Sequence, residues 1–263
     1  MLEEHRKERI VKEEISKSYI DKQIAEHGDK FLRFNREFLV TGVAPGNIGE
    51  AIAERIESIG SVVRVGREDY DLSIGTQVSK MIDKNNTVDT LILCHGYTSL
   101  DWIENQPSEM IHRIVDSSLT SHIDLVSIFA HKSKHQNYKK IIIIIGSMAA
   151  NSVLNGSAPY CAAKAGLQHF VKCAAWELTP KGFDIFLLNP GNVPNTPMAE
   201  KTIRELALYR KMSPESAREY WSASNPRTSF MSKGEIADLV HYLSAGGCRY
   251  MSGSAINLSG GQR

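Results

Sequence analysis

One serine, one tyrosine and one lysine in the middle of this chain have types and spacing suited to proton transfer. Ser147 follows an aliphatic run, Tyr160 comes thirteen residues later, and Lys164 comes four residues after that. Side chains four apart on a helix share one face, so Tyr160 and Lys164 are predicted to lie side by side.

These residue types can interconvert an alcohol and a carbonyl. A phenol with its ordinary pKa of about 10 exchanges protons poorly near neutral pH. Positive charge on Lys164 is expected to lower the pKa of Tyr160, and Ser147 can donate a hydrogen bond to a substrate oxygen as its charge changes. We therefore predict a catalytic set in which Tyr160 is the general acid and base.

A glycine-rich turn earlier in the chain could hold a phosphate. The sequence Thr41-Gly42-Val43-Ala44-Pro45-Gly46-Asn47-Ile48-Gly49 follows an apolar run and precedes a helical pattern. Glycines let the backbone approach a pyrophosphate, and the helix offers free N–H groups with a positive dipole end. The turn predicts a dinucleotide site formed by Gly42, Gly46, Asn47, Ile48 and Gly49.

The end of the second predicted strand bears on the choice of nucleotide. An acidic side chain there would bind the adenosine ribose 2′-hydroxyl, but the position is Gly66, and Arg67 follows it. A guanidinium suits the oxygens of a 2′-phosphate. The sequence therefore favours NADP(H) over NAD(H).

Alternating β and α patterns must position these groups. Apolar runs typical of buried strands occur at Phe38–Val40, Ser61–Val65, Thr90–Leu93, Ile141–Ile145, Asp184–Leu188 and Ala255–Leu258. Helical periodicity occurs between them at Ile48–Ile59, Val78–Ile82, Ile111–Phe129, Ala162–Leu178 and Glu235–Leu243. This alternation predicts an α/β fold, a doubly wound parallel sheet (Rossmann fold) in a single domain over residues 37–263. A proline-rich stretch at about 192–228 is predicted to be an irregular substrate lid.

Residues 1–36 differ from the rest of the chain because they are dense in Glu, Lys and Arg. Their apolar residues recur mostly every four or five positions, which predicts an amphipathic helix ending near Gly28. Such a helical extension could be a docking or oligomerisation arm, or a solvated helix laid against the main domain.

Composition and charge narrow the function classes. Lys and Arg total 31 against 30 for Asp and Glu, giving a net charge of +1, so we expect no nucleic-acid partner. The longest aliphatic run is far shorter than the ~20 residues of a membrane helix, and no apolar signal core follows the N-terminus. We therefore expect a cytoplasmic protein without membrane contact. The four cysteines are scattered without ligand-like spacing, which predicts no metal site.

Taken together, the motifs from about Phe38 to Gly261 resemble the short-chain dehydrogenase/reductase family in its single-domain form. The resemblance rests on the glycine-rich turn, the Ser/Tyr/Lys set, the segment Asn189–Val193 and the closing glycines. It implies an NAD(P)-dependent oxidoreductase acting on a CH–OH or C=O group of a small-molecule substrate. It also implies a homo-oligomer, a dimer or tetramer, formed through the helices at 111–129 and 158–178. Apolar positions beyond one sheet-facing stripe support this interface: Ile123, Ile128, Phe129, Phe170 and Trp176.

Further site residues follow from the resemblance alone. Asp71 and Leu72 correspond to the pair beside the adenine, and Ser118 aligns with the helix asparagine of the family's proton relay. Cys94, His95 and Gly96 stand at the segment that follows the central strand. The segment bounding the nicotinamide corresponds to Pro190, Gly191, Val193, Asn195 and Thr196.

The chain departs from the family's pattern at several positions. Its turn has one extra residue between Gly42 and Gly49, and Pro45 stands where many NADP-using members have a basic residue. Of the family's Asn-Asn-Ala-Gly segment, only Gly96 matches. These departures and the extension favour an alternative, a nucleotide-binding protein of this fold with a regulatory or assembly role and little catalysis. The complete Ser/Tyr/Lys set favours the enzyme.

Overall fold

The computed structural model describes residues 36–72, 74–133, 139–223, 227 and 230–261. Apart from Arg36, which begins the first strand, the helix predicted within residues 1–36 lies outside the described residues.

The described residues contain a six-stranded parallel sheet. Its strands are β1 (Arg36–Thr41), β2 (Gly60–Val65), β3 (Thr90–Leu93), β4 (Lys140–Ile145), β5 (Phe183–Pro190) and β6 (Ala255–Leu258). Their order across the sheet is β2-β1-β3-β4-β5-β6, with every neighbouring pair parallel. The order reverses between β1 and β3, and a crevice forms beyond the carboxyl ends of strands at such a reversal. The predicted doubly wound parallel sheet is confirmed.

Helices connect the strands and cover both faces of the sheet. They are α1 (Ile48–Ile56), α2 (Gly75–Lys84), α3 (Ser108–Val115), α4 (Ser121–Ser133), α5 (Ala158–Leu178), α6 (Pro197–Arg210), α7 (Pro214–Ala223) and α8 (Lys233–Ser244). Apolar residues of α1 and α8 pack on one face, and those of α2, α4 and α5 pack on the other. None of the helices in the described part of the chain has the length and apolar character needed to cross a bilayer.

The alternation of side chains along each strand explains the two layers. In β1, Phe38 and Val40 enter one apolar core while Leu39 enters the other. All of β4 is buried, which is why its sequence reads as a continuous apolar run. Burying one such isoleucine contributes about 1.5–3 kcal/mol to folding.

Two elements differ from their predictions. The single helix predicted over 111–129 is divided into α3 and α4 by the π-helical turn Asp116–Thr120, whose extra backbone residue a regular periodicity does not reveal. The stretch at 192–228, predicted to be irregular, contains α6 and α7. Each of these helices begins at a proline, Pro197 and Pro214, and a ring without an N–H is well tolerated in the first turn of a helix.

Candidate active site

A cavity of about 470 Å³ opens at the carboxyl edge of the sheet. Its wall includes most of the predicted site residues: Gly42, Asn47, Ile48, Arg67, Asp71, Leu72, Cys94, His95, Gly96, Ser147, Tyr160, Lys164, Pro190, Gly191, Val193 and Thr196. Four predicted residues are not part of this wall: Gly46, Gly49, Ser118 and Asn195. The fold therefore brings the turn, the strand ends and the Ser/Tyr/Lys set into one space.

Ser147, Tyr160 and Lys164 converge at one end of this cavity. Ser147 follows β4 and forms a hydrogen bond with the hydroxyl of Tyr160. Tyr160 and Lys164 lie on the first two turns of α5, and Nζ of Lys164 is 5.7 Å from the centroid of the Tyr160 ring. The Lys164 ammonium also donates a hydrogen bond to the carbonyl oxygen of Ile145 at 3.2 Å. This bond fixes the lysine against the end of β4.

The environment of Tyr160 keeps its phenol protonated. Burial raises the pKa of Tyr160 to about 12, and the hydrogen bond with Ser147 opposes this increase. The expectation that the pKa of Tyr160 is lowered was wrong, because the desolvation of the phenolate outweighs the favourable contacts. A neutral phenol is the form that can donate a proton.

Lys164 is also shifted by burial. Its side chain is only 3% exposed, and burial lowers its pKa from 10.5 to about 8. Near neutral pH the ammonium is therefore still mainly charged, while a moderate rise in pH neutralises it. The position of this charge beside Tyr160 makes it available to a developing oxyanion or to ribose hydroxyls.

Asn189, at the carboxyl end of β5, positions Ser147. Its Oδ1 accepts a hydrogen bond from the Ser147 backbone N–H at 3.1 Å, and its Nδ2 donates to Gln168 at 2.7 Å and Asn257 at 3.1 Å. Asn189 is fully buried. The sequence reasoning did not assign it a role, although a polar residue that ends an apolar strand next to β4 is a usable signal.

The glycine-rich turn is built for close backbone approach. Gly42 has a φ of +70°, and a Cβ there would lie 2.6 Å from the backbone nitrogen of His95. A Cβ on Gly49 would lie 2.5 Å from the Gly42 carbonyl oxygen. The Asn47 side chain caps α1, donating to the Gly42 carbonyl at 2.6 Å and accepting from the Glu50 N–H at 2.9 Å. Gly49 therefore packs the helix against the turn, while Asn47 and Ile48 face the cavity.

The end of β2 adjoins this turn. The Val43 N–H donates to the Val65 carbonyl at 3.1 Å, so the two segments run side by side. Arg67 is exposed and lines the cavity. Arg64 instead bonds Glu57 at 2.6 Å. Asp69 accepts a hydrogen bond from the Gly66 N–H at 2.7 Å. Its carboxylate therefore lies close to the end of β2, where the sequence has Gly66 instead of an acidic residue.

The segment after β5 forms another part of the wall. Thr196 is buried and caps α6, donating to the Val193 carbonyl at 3.3 Å and accepting from the Ala199 N–H at 3.1 Å. Both hydrogen bonds of the Thr196 hydroxyl therefore go to the protein backbone at the start of α6. Asn195 is exposed with a φ of +57°, so its backbone turns the chain into α6.

The substrate side of the cavity is shaped by α6, α7 and the loop after β3. Its wall contains Leu100, Leu154, Met198 and Trp221, which are apolar, together with Arg113, which lies 4.2 Å above the Tyr97 ring. Arg113 was missed because α3 gives no sign in the sequence of facing a site. Two other arginines of this region have partners on α6 and α7: Arg218 pairs with Glu200, and Arg210 stacks on Tyr220.

Comparison with known proteins identifies the family. Residues 50–263 match the family model described as enoyl-(acyl carrier protein) reductase. The chain belongs to the short-chain dehydrogenase/reductase family. It is thus an oxidoreductase of that family, as the sequence predicted.

Several named members of the short-chain dehydrogenase/reductase family are similar to this chain. The 3-oxoacyl-[acyl-carrier-protein] reductase FabG of Rickettsia felis is 26% identical over 85% of this chain and 95% of that protein. The D-beta-hydroxybutyrate dehydrogenase of Cupriavidus necator is 26% identical over 81% of this chain and 83% of that protein.

Solved structures show the same fold. An NAD+-bound xylitol dehydrogenase superimposes with a TM-score of 0.79 at 22% identity, covering 87% of this chain and 100% of that one. An actinorhodin polyketide ketoreductase variant with NADPH gives a TM-score of 0.79 at 23% identity, covering 87% and 97%. The two neighbours differ in their nucleotide, so the fold alone does not select between NAD(H) and NADP(H).

The residues of this short-chain dehydrogenase/reductase fit a dinucleotide cofactor. The part of the turn that lines the cavity is formed by Gly42, Val43, Ala44 and Asn47. Gly42 leaves no room for a side chain between the turn and the segment after β3. A nucleotide would therefore contact backbone along much of this wall.

The segment after β3, which matches the family's pattern only at Gly96, contains His95, a residue with several partners. The His95 ring bonds the Thr41 hydroxyl through Nδ1 at 2.7 Å and the Ser121 hydroxyl through Nε2 at 2.9 Å. It stacks on buried His122 with 4.0 Å between ring centroids. Burial, together with the nearby Lys164 charge, lowers the pKa of His95 to about 3. A neutral imidazole thus ties β1 and α4 together at the cavity wall.

Ser118 lies within the π-helical turn and not at the cavity. Its hydroxyl donates to the Tyr97 carbonyl at 2.9 Å and accepts from the Tyr97 N–H at 3.1 Å. Both hydrogen bonds hold the loop after β3. This arrangement does not place the Ser118 hydroxyl against a reacting group, and its predicted part in a proton relay stays a prediction.

Proposed function

We propose that this protein is an NADP(H)-dependent oxidoreductase that interconverts a carbonyl and an alcohol on a small, largely apolar substrate. The observation that carries the proposal is the contact between the protonated Tyr160 phenol, Ser147 and buried Lys164 at the end of the cavity. A proton donor with its own hydrogen-bond partner and an adjacent cation suits the reduction of a carbonyl.

Each residue has a distinct part in this reaction. A bound nicotinamide would supply the hydride. Tyr160 gives its hydroxyl proton to the substrate oxygen as negative charge develops there. Ser147, held by Asn189, orients the same oxygen by a hydrogen bond. The Lys164 ammonium stabilises the phenolate left on Tyr160 and binds ribose hydroxyls.

The test of this function is the oxidation of NADPH with a panel of aliphatic and aromatic ketones and 3-oxo esters. We expect turnover of at least one apolar carbonyl compound, because apolar side chains line much of the substrate side. Binding of NADPH without turnover across the panel would instead favour the regulatory alternative.

Cofactor choice is expected to depend on Arg67. The wild-type protein should bind NADPH at least ~10-fold more tightly than NADH at low salt, because a charge-assisted contact contributes about 1.5–3 kcal/mol. Arg67→Ala should remove most of this difference, as measured by nicotinamide fluorescence titration. Arg64→Ala is the matched control, since Arg64 bonds Glu57 at the end of α1. Equal affinities in the wild type would contradict the assignment.

We also propose that α5 contributes to a homo-oligomer. Of the apolar positions predicted for this interface, Phe129 is 3% exposed in the core, and Ile128 and Phe170 pack against that core. Trp176 is different, since it is 86% exposed on α5. An indole of this exposure is typical of an interface.

Light scattering should show a dimer or tetramer for the wild type and a smaller species for Trp176→Glu. A buried unpaired carboxylate disfavours association. Trp102→Glu, which changes a 50% exposed tryptophan beside the lid, serves as the control and should not dissociate the oligomer. A wild-type monomer at micromolar concentration would overturn the proposal.

A further inference from the structure

Arg113, on the cavity wall, does not pair with the carboxylates next to it in the sequence. Glu109 stands four residues before it and Asp116 three residues after it, the spacings at which side chains on one helix face usually meet. Neither forms an ion pair with Arg113 among the residues that the structure describes. The guanidinium lies instead over the Tyr97 ring, 4.2 Å from its centroid. Arg113 therefore presents its positive charge at the cavity without an ion pair.

Tyr97 holds the guanidinium in place. The Ser118 hydroxyl bonds both the carbonyl and the N–H of Tyr97, so the backbone under the ring is fixed. Lys201 of α6 lies over the same ring, with Nζ 4.1 Å from the centroid, but it pairs with Glu205 at 3.2 Å and is not part of the cavity wall. The charge of Lys201 is thus compensated, whereas Arg113 is positioned and available. A side chain that is already ordered loses less entropy when it binds a ligand.

The loop after β3 connects this arginine with the catalytic set. A Cβ on Gly96 would lie 3.8 Å from Nζ of Lys164, and the next residue is Tyr97, whose ring carries the guanidinium. Later in the same loop, the Asp101 N–H donates to the Gly156 carbonyl at 3.0 Å, in the turn that leads into α5. One loop therefore contacts the arginine, the catalytic lysine and the segment just before the catalytic tyrosine.

The surroundings of Arg113 favour an anion with a single charge. Apolar side chains share the substrate side of the wall with it: Leu100, Leu154, Met198 and Trp221. Among the wall residues of the described chain, the only acidic one is Asp71, in the segment after β2. A carboxylate among apolar side chains is attracted to a cation more strongly than in water. The planar fork of a guanidinium matches the two oxygens of a carboxylate, whereas a phosphate monoester would bring nearly two negative charges.

We propose that Arg113 binds a carboxylate of the substrate, so that the substrates are oxo acids, or hydroxy acids in the reverse direction, with an apolar body. The inference deepens the function proposed above and rests on it. Ser117, four residues after Arg113 in the π-helical turn, also lines the cavity and can donate its hydroxyl hydrogen to the same carboxylate. The carboxylate is not changed in the reaction: the hydride goes to the carbonyl carbon, and the proton of Tyr160 goes to the carbonyl oxygen.

The first experiment compares oxo acids with their methyl esters as substrates. Acids with the carbonyl at position 3, 4 or 5 vary the separation of the carbonyl and the carboxylate. For the best acid, the wild type should show a kcat/KM at least ~10-fold above that of its ester, because the ester has no negative charge. Arg113→Gln should lower kcat/KM for the acid at least ~10-fold and for the ester less than about threefold. Arg113→Lys should keep part of the preference, since it retains the charge but loses the fork.

The second experiment measures binding without turnover. Hexanoate should raise the melting temperature of the complex with NADPH more than hexanamide does, and Arg113→Gln should lose this difference. Arg204→Gln is the matched control, because it removes one positive charge from an exposed position of α6 that is not part of the cavity wall. It should leave the preference for acids and the hexanoate shift unchanged. Affinity for NADPH should stay within about threefold of the wild type in Arg113→Gln, since the arginine is assigned to the substrate.

The outcomes separate this inference from the proposed function. A wild type that reduces esters as well as acids contradicts the inference alone, and so do equal losses for acid and ester in Arg113→Gln. Loss of NADPH binding in Arg113→Gln would show that the arginine contacts the nucleotide, and this would also overturn the inference. No turnover of any acid or ester, together with a hexanoate shift that depends on Arg113, contradicts the proposed reaction and supports the carboxylate site. No turnover and no preference for hexanoate contradict both.

Discussion

Tyr160→Phe is expected to lower kcat by at least ~100-fold, the usual effect of losing a general acid. The change removes one hydroxyl and leaves the ring in place, so affinity for NADPH should stay close to that of the wild type. The reason lies in the geometry: the Tyr160 hydroxyl bonds Ser147 at the end of the cavity, and its raised pKa of about 12 keeps the proton available for transfer. Steady-state rates on any carbonyl substrate found by screening measure the effect.

Tyr209→Phe is the matched control for this prediction. The Tyr209 hydroxyl is buried and has no hydrogen-bond partner among the residues that the structure describes, and it is not part of the cavity wall. Removing it should leave kcat unchanged and unfolding little affected or slightly more difficult, because an unpaired buried hydroxyl stabilises nothing. Wild-type turnover in Tyr160→Phe would exclude the proposed role of Tyr160.

The strands and the convergence of Ser147, Tyr160 and Lys164 in one cavity could be predicted because both depend on short stretches of sequence. Thr90–Leu93 and Ala255–Leu258 have the predicted bounds, since each is a short, mainly apolar run. The first is buried throughout, while the second lies at the edge of the sheet and is only partly buried. Ser147, Tyr160 and Lys164 were also accessible, because one strand end and one helix turn place all three.

The features that the sequence did not predict depend on contacts between residues that are distant in the sequence. Periodicity does not show the π-helical turn at Asp116–Thr120, because one additional residue leaves the apolar pattern on both sides nearly intact. The direction of the Tyr160 pKa shift depends on how much protein surrounds the phenol, which no spacing reports. The contacts of Asn189 with Ser147 and of Arg113 with Tyr97 likewise form only when separate elements pack together.

The contacts of His95 and Ser118 show how two residues that depart from the family's pattern are used in this fold. The His95 ring forms hydrogen bonds with two hydroxyl groups, and the Ser118 hydroxyl forms hydrogen bonds with the backbone of the loop after β3. A Cβ on Gly96 would lie 3.8 Å from Nζ of Lys164, so this loop forms the wall against which the lysine rests. His95 and Ser118 therefore help to hold the loop that contacts Lys164. The Lys164 charge has a central role in the proposed reaction.

Lys164→Met is expected to lower kcat by at least ~100-fold and to weaken NADPH binding as well, since Lys164 is assigned both to the Tyr160 phenolate and to ribose hydroxyls. Its titration should be visible in the wild type. With a pKa near 8, the ammonium loses its proton as the pH rises, so reductase activity should decrease above about pH 8. The residual activity of Lys164→Met should not show this decrease, and Lys164→Arg should not either, because a guanidinium stays protonated.

The buried Lys164 charge is expected to support activity but to lower the stability of the fold. Measuring activity and unfolding together therefore distinguishes a catalytic loss from misfolding. The pKa of Lys164 is about 8 in the folded protein against an ordinary 10.5, so the unfolded chain binds more protons between these values. Burying the charged ammonium therefore lowers the free energy of unfolding by its full amount below about pH 8. This free energy rises between pH 8 and 10.5, because the folded protein loses the charge before the unfolded chain does. The penalty is on the order of 3 kcal/mol at neutral pH, since one pKa unit corresponds to about 1.4 kcal/mol. Lys164→Met should thus unfold in urea at an equal or higher concentration than the wild type near pH 7, and lose that advantage toward pH 10. A variant that is both inactive and clearly less stable at pH 7 would contradict this account of the buried charge.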